Sequence, residues 1–195
     1  MDIAASEIAV FIDRDGTINV DVDHLSSPEQ LHFIPRSIAA IRELNELQIK
    51  VIVITNQSGI ARRYFSEDDV RAVHQAMSDE LAKHGASVTD YFYCPHHPSD
   101  GFPPYIRECE CRKPKPGMLL DAKKKYHLDL QHSFVVGDKC IDVQTGKAVG
   151  ALSIQVSTGY GADEKEMCAA DRDYFAEDLF DAVQFIKKIL SQRKK

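Results

Sequence analysis

Short, nearly continuous apolar runs alternate with amphipathic stretches along the 195-residue chain. The runs at 8–13, 50–55, 91–93, 133–137 and 152–156 predict strands. Helical periodicity at 37–47, 66–84, 116–126 and 142–149 predicts the helices between them, and a last helix over 179–192 follows. The second helix is the best marked. Ser66 and Asp69 have capping-box spacing, Val70, Val73, Met77 and Leu81 share one face, and Gly85 follows as a stop. Strands that lack a polar face must be covered on both sides, so the alternation predicts an α/β fold. Its core would be a Rossmann-like parallel sheet with helices on both faces, without a large cap domain. Two connections, 18–35 and 94–115, are too long for a compact unit. Both leave the carboxyl ends of predicted strands, where open α/β sheets bind their ligands.

Composition narrows the picture. The length suits one domain over 1–195, with 44% hydrophobic and 28% charged residues. A net charge of −6 and a pI near 5.7 argue against a nucleic-acid partner, which would call for a basic face. The basic tail over 187–195 reads as the solvated end of the last helix, where cations suit the dipole. No run reaches the ~20 apolar residues that span a bilayer. The first residues carry acids where a leader would carry lysines. The expectation is therefore a cytoplasmic protein without a membrane partner. It is also expected to be a monomer, since no heptad seam or long exposed apolar stripe asks for a partner. In a reducing compartment the five cysteines are expected to be thiols or metal ligands rather than disulfides.

The strand ends carry the chemistry. The first runs into Phe11-Ile12-Asp13-Arg14-Asp15-Gly16-Thr17, two carboxylates at i and i+2 before a glycine turn. The second ends in Thr55-Asn56-Gln57-Ser58-Gly59, a turn able to offer a hydroxyl and amides to phosphate oxygens. Arg112-Lys113-Pro114 brings positive charge to the start of a helix, and the fourth strand ends in Gly137-Asp138-Lys139 with Asp142 one turn on. An aspartate after a strand is commonly just a turn or cap residue. Four such motifs in this order are a different matter.

In this order the motifs Asp-x-Asp-Gly-Thr, Thr-Asn, Lys-Pro and Gly-Asp-x-x-x-Asp resemble those of the haloacid dehalogenase superfamily phosphatases, over essentially the whole chain. The resemblance implies that Asp13 is the nucleophile and forms an acyl phosphate. Asp15 would protonate the leaving alkoxide and then deprotonate the hydrolytic water. Catalytic Mg²⁺ would be held by Asp13, the Asp15 carbonyl and Asp138. Thr55 and Lys113 would stabilise the phosphoryl oxygens in the transition state. Lys139 would screen Asp138 or touch the phosphate, and Asp142 would orient Lys139 or a metal-bound water.

A second metal is legible in the loop over 94–111. Cys94-Pro95-His96-His97 and Cys109-Glu110-Cys111 form C-x-H and C-x-C pairs, and three thiolates with one imidazole make a closed tetrahedral set for structural Zn²⁺. The alternative is a set of reduced cysteines and incidental histidines. A staple here would order a proline-rich loop and fix Arg112 and Lys113 behind it. The loop resembles the zinc loop of one phosphatase subgroup, and that resemblance makes His96 the ligand and His97 a neighbour. Cys140 and Cys168 read as buried thiols.

The subgroup's strings Thr-Asn-Gln-Ser-Gly-Ile-Ala-Arg, Cys-Pro-His-His-Pro and Cys-Arg-Lys-Pro-x-Pro-Gly-Met all stand in this sequence. They imply a small phosphorylated sugar as substrate, and in particular removal of the 7-phosphate of D-glycero-D-manno-heptose 1,7-bisphosphate. Arg112 would grip the distal phosphate bidentately, and Asn56, Gln57, Ser58 and Lys139 would bind hydroxyls or phosphate. One stretch departs from the pattern. Asp21-Val22-Asp23-His24-Leu25-Ser26-Ser27-Pro28 replaces a Gly-Tyr-Val-like segment, with Asp21, Val22, Asp23 and His24 expected near the sugar. The rival substrates are histidinol phosphate and a polynucleotide 3′-phosphate. The rival outside enzymology is a zinc-bearing binding module, which would need no such complete catalytic set.

Overall fold

The computed structural model describes residues 5–193. The first four residues and Lys194–Lys195 of the basic tail lie outside the described residues, and with them part of what was read about a leader and the tail.

Five apolar runs become strands: β1 (Ala9–Ile12), β2 (Lys50–Asn56), β3 (Asp90–Cys94), β4 (Phe134–Gly137) and β5 (Leu152–Val156). A sixth, β6 (Tyr174–Ala176), pairs only with β5 at the sheet edge. The helices are α1 (Ser37–Glu46), α2 (Glu67–Lys83), α3 (Gly117–Tyr126), α4 (Cys140–Lys147) and α5 (Leu179–Arg193). All strand pairs are parallel, in the order β3-β2-β1-β4-β5-β6.

Alternation within β1 shows why both faces are covered. Val10 and Ile12 pack with Ile41 and Leu44 of α1, Met77 and Leu81 of α2, and Val183 and Ile186 of α5. Ala9 and Phe11 point the other way, onto Met118, Leu119 and Ala122 of α3. Each buried leucine, isoleucine or methionine contributes about 1.5–3 kcal/mol of transfer free energy, so the sheet is held from both sides. The Ser66–Asp69 box at the start of α2 forms as the spacing predicts: Ser66 Oγ accepts from Asp69 N at 3.2 Å, and Asp69 Oδ2 accepts from Ser66 N at 2.7 Å.

β1 and β4 are neighbours, with β2 and β3 on one side and β5 and β6 on the other. The order reverses between β1 and β4, so the loops leaving their carboxyl ends diverge and open a crevice. Among the described residues no helix is long and apolar enough to cross a membrane.

Candidate active site

Asp13 leaves the end of β1, its N–H donating to the Val136 carbonyl of β4 at 2.9 Å. The turn after it closes on the Arg14 carbonyl, which accepts from Ile18 N at 2.9 Å and Asn19 N at 3.2 Å. Gly16 is needed twice over. Its φ is +81°, and a Cβ there would run into the Asp138 carboxylate. The chain can therefore lay Asp15 beside the end of β4 only with glycine at this position.

Asp13, Asp138 and Asp142 converge, each offering a carboxylate oxygen within 4.8 Å of the others. The one buried cation among them is Lys113, whose Nζ stands 2.7 Å from Asp13 Oδ1 and 2.6 Å from Asp142 Oδ1 and donates to the Ile54 carbonyl at 3.0 Å. Burial pushes the Asp13 carboxyl well up, Lys113 opposes this, and the neighbouring aspartates add to it. Asp138 is raised to about 7, by burial first and then by Asp142. Burial pulls Lys113 down, but Asp13 and Asp142 outweigh it, so the ammonium is held well above its ordinary range. Three buried carboxylates against one lysine leave a negative excess, and Asp138 Oδ1 is buried without a partner. An all-oxygen site of this charge fits a hard divalent cation such as magnesium.

Asp15 is held differently. Burial raises its carboxyl, yet Arg14, Asn19 and Gln57 more than offset that and keep it below the ordinary carboxylate range. Gln57 Nε2 bridges Asp15 Oδ2 (3.1 Å) and Thr55 Oγ1 (2.7 Å). Asn56 clamps the backbone of Lys113, donating to its carbonyl at 3.1 Å and accepting from its N–H at 3.0 Å.

Asp13, Asp15, Thr55, Asn56, Gln57 and Lys113 line a cavity of about 230 Å³ together with Asp21, Asp23, His24, Ser58, Arg112, Lys139, Ile141 and Tyr160, while Asp138 and Asp142 stand beside Asp13 without lining it. Thus the strand-end residues read from the sequence meet in one place. Val22 does not line the cavity, and the Asn56 amide is engaged with Lys113. The site carries positive and negative walls. Arg112 lies over the zinc-type loop, its Nη1 donating to the His96 carbonyl at 3.1 Å. Asp21 pairs with Lys139 Nζ at 3.2 Å, and His24 packs edge-on against Tyr64 at 4.9 Å between ring centroids.

One expectation is sharpened and one corrected. Asp142 does touch Lys139, but through the backbone, accepting from Lys139 N at 3.1 Å as the cap of α4, and it also pairs with Lys113, because the helix starts at Cys140 and turns its carboxylate inward. Cys140 and Cys168 are not separate thiols but a disulfide pair with Cα atoms 5.6 Å apart. The segment after β5 folds back over the start of α4 and brings them together across 28 residues, a spacing that carries no motif. The same segment supplies Tyr160, which sequence reasoning missed. Its N–H donates to Asp138 Oδ2 at 2.8 Å, and its ring lies 4.3 Å from Lys139 Nζ. Thr158 Oγ1 donates to the Gly16 carbonyl at 2.6 Å, tying that segment to the β1 turn.

The loop after β3 brings together Cys94, His96, Cys109 and Cys111, their ligand atoms within 4.8 Å of one another. His96 Nδ1 is 3.3 Å from Cys111 Sγ, and Cys94 Sγ is 3.5 Å from Cys109 Sγ. Those edges suit a tetrahedron built on metal–sulfur bonds of ~2.3 Å, so the cluster is compatible with zinc. His97 instead accepts from Asp100 N at 2.8 Å through its Nδ1 and stands outside the cluster.

A buried carboxylate at the switch point of a parallel sheet, with a buried lysine and a site suited to a hard cation beside it, is an arrangement that suits a phosphoryl-transfer hydrolase. Comparison with known proteins agrees. Residues 110–182 match the HAD-hydrolase-like family model. D-glycero-beta-D-manno-heptose-1,7-bisphosphate 7-phosphatase of Pasteurella multocida is 40% identical over 184 residues, covering 94% of this chain and 98% of that one. The enzyme of the same name from Rhodopseudomonas palustris is 49% identical over 142 residues, 73% and 79% of the two chains. Among solved structures, D,D-heptose 1,7-bisphosphate phosphatase from B. bronchiseptica, complexed with magnesium and phosphate, superposes with a TM-score of 0.84. It is 34% identical, over 93% of this chain and 99% of that one. The chain belongs to the haloacid dehalogenase-like family of hydrolases, as one of its phosphatases.

Proposed function

We propose that this phosphatase removes the 7-phosphate of D-glycero-β-D-manno-heptose 1,7-bisphosphate through an aspartyl-phosphate on Asp13. The observation that carries the substrate is the similarity, over nearly the whole length of both chains, to the Pasteurella multocida enzyme of that specificity. The cavity supports it: Arg112 stands at the wall as a fork suited to a second, non-reacting phosphate.

In the first step a carboxylate oxygen of Asp13 attacks phosphorus, and the bond from phosphorus to the sugar oxygen breaks. Asp15 rests ionised beside Arg14, Asn19 and Gln57; it takes up a proton as the phosphate dianion enters beside it and gives that proton to the departing alkoxide. Thr55 and Lys113 hold the phosphoryl oxygens as charge redistributes, and Asn56 keeps the Lys113 backbone in place for that task. In the second step Asp15 takes a proton from water, the water oxygen bonds to phosphorus, and Asp13 departs as a carboxylate. Asp13, Asp138 and the Asp15 carbonyl would hold magnesium, which when bound offsets the repulsion between carboxylate and phosphate dianion. Asp21, Asp23, His24, Ser58 and Lys139 bind the sugar or its phosphates. Cys94, His96, Cys109 and Cys111 hold structural zinc. Residues 1–195 act as one hydrolase domain with the zinc loop at 94–111, as a cytoplasmic monomer in which the Cys140–Cys168 disulfide is an exception to the reduced state that compartment favours.

The test is phosphate release by the magnesium-loaded enzyme from both anomers of heptose 1,7-bisphosphate, histidinol phosphate and a 3′-phosphorylated oligonucleotide. The β-anomer should give the highest kcat/KM, and Asp13→Asn should abolish turnover. Preference for histidinol phosphate or the oligonucleotide would overturn the substrate, and undiminished turnover by Asp13→Asn would overturn the mechanism.

A further inference from the structure

Arg14 lies between the two aspartates of the first motif, is fully buried and does not line the cavity. Its guanidinium forks onto Asp15, Nε to Oδ1 at 3.2 Å and Nη2 to Oδ2 at 2.9 Å. Asn19 Nδ2 also donates to Oδ1 at 3.0 Å, and Gln57 Nε2 to Oδ2 at 3.1 Å. The remaining terminal nitrogen of Arg14, Nη1, lies 3.3 Å from Nε2 of His74 on α2. Arginine is always a donor, so Nε2 must carry a lone pair and the ring must be the neutral tautomer protonated on Nδ1. His74 is buried and stacks on Tyr91 of β3 at 4.4 Å and 16°. Tyr91 is tied in turn to Ser78, one turn further along α2, at 2.9 Å between hydroxyls. A leucine at 74 would fill the space but leave a buried guanidinium N–H without an acceptor.

We propose that Arg14 and His74 are positioning residues for Asp15: His74 fixes Arg14, and the Arg14 fork fixes the carboxyl in the orientation from which it serves the leaving oxygen. Of the side-chain donors on Asp15 only Gln57 lines the cavity, and Asp15 itself lines it, so the carboxyl stands between the buried fork and the substrate space. The proposal rests on Asp15 being the acid that protonates the leaving group. It assigns a mechanistic role to a histidine that touches neither substrate nor metal ligands.

Leaving-group dependence tests it. An alkyl phosphate such as the sugar bisphosphate needs the acid, because an alkoxide is a poor leaving group. p-Nitrophenyl phosphate releases a stable phenolate and needs it little. The kcat/KM values include only steps up to departure of the leaving group, so the shared hydrolysis of the aspartyl-phosphate drops out. In His74→Leu, kcat/KM for the sugar bisphosphate should fall about tenfold or more, part of what a general acid supplies, while that for p-nitrophenyl phosphate stays nearly unchanged. His74→Gln places an amide oxygen where Nε2 was and should restore the wild-type ratio. Arg14→Lys keeps the charge but loses the fork, and should show the same split as His74→Leu. It provides the comparison if the leucine variant does not fold. Equal losses on both substrates, no loss on either, or no rescue by glutamine would overturn the proposal. Asp15→Asn separates this from the reading beneath it. If that variant loses no more on the sugar bisphosphate than on the aryl ester, the acid role of Asp15 itself is wrong. If Asp15→Asn shows the split and the His74 and Arg14 variants do not, only the positioning role fails.

Discussion

A histidine buried against an arginine is held neutral, and that has a cost in acid. Burial lowers His74 to about 3, with Arg14 adding to the effect. Above about pH 6.5, the ordinary histidine value, the folded and unfolded chains agree on its protonation and it leaves stability unchanged. As pH falls from there towards 3, the unfolded chain takes up a proton that the folded one refuses, so stability is lost progressively. At pH 5 the loss is roughly 2 kcal/mol, from ~1.5 units at ~1.4 kcal/mol each. His74→Gln should remove that part of the acid sensitivity, measured as a shallower fall of urea midpoint between pH 7 and 5 than in wild type. Nothing in the sequence announced this residue. It sits on the apolar face of α2 between Val73 and Met77, where a histidine reads as a satisfied core residue, and only the packing of α2 against the β1 turn gives it a partner.

At the scale of elements, the loop after β3 gathers three cysteines and a histidine and the segment after β5 is tied by a disulfide, and they differ in how legible they were. The loop's ligands are close in sequence and paired by spacing, so it could be read. Cys140 and Cys168 are 28 residues apart, and only the return of the segment over α4 joins them. Treatment with a thiol-reactive agent and chelator, followed by return of magnesium, should release one zinc ion per chain. Because Lys113 keeps anchors on Asn56 and Ile54 while Arg112 leans on the His96 carbonyl, KM for the bisphosphate should rise more than kcat falls. An unchanged KM would break the link between zinc and Arg112. For the second staple, thiol titration of the metal-stripped, unfolded protein should find three groups before reduction and five after. Reductant should lower unfolding free energy by about 2–4 kcal/mol, and Cys168→Ser should show no such response. β6 was not read from the sequence because Tyr174–Ala176 is a three-residue edge strand between charged neighbours, too short for a periodic signal.

For the molecule as a whole, the order of strands explains why so much of the site was legible. In a parallel sheet every strand delivers its last residue to the same edge, so motifs at the ends of β1, β2 and β4 had to meet once the topology was known. What could not be read is what arrives from elsewhere: Tyr160 from a returning segment, His74 from a helix face, and the pairing of Asp142 with Lys113 rather than the Lys139 side chain. Those contacts depend on three-dimensional approach and leave no mark on spacing.

The same polarity gives the protein a front and a back. The turns before β2, β3 and β4 lie at the opposite end of the sheet, where Gln48, Gly85 and Gln131 are exposed. A linker joined to a cysteine at Gln48 would seat the enzyme on a solid support with its catalytic mouth directed into the flowing solution. Immobilisation of this kind orients every molecule alike, and it does so without occupying the loops at the carboxyl ends of the strands that carry the candidate site.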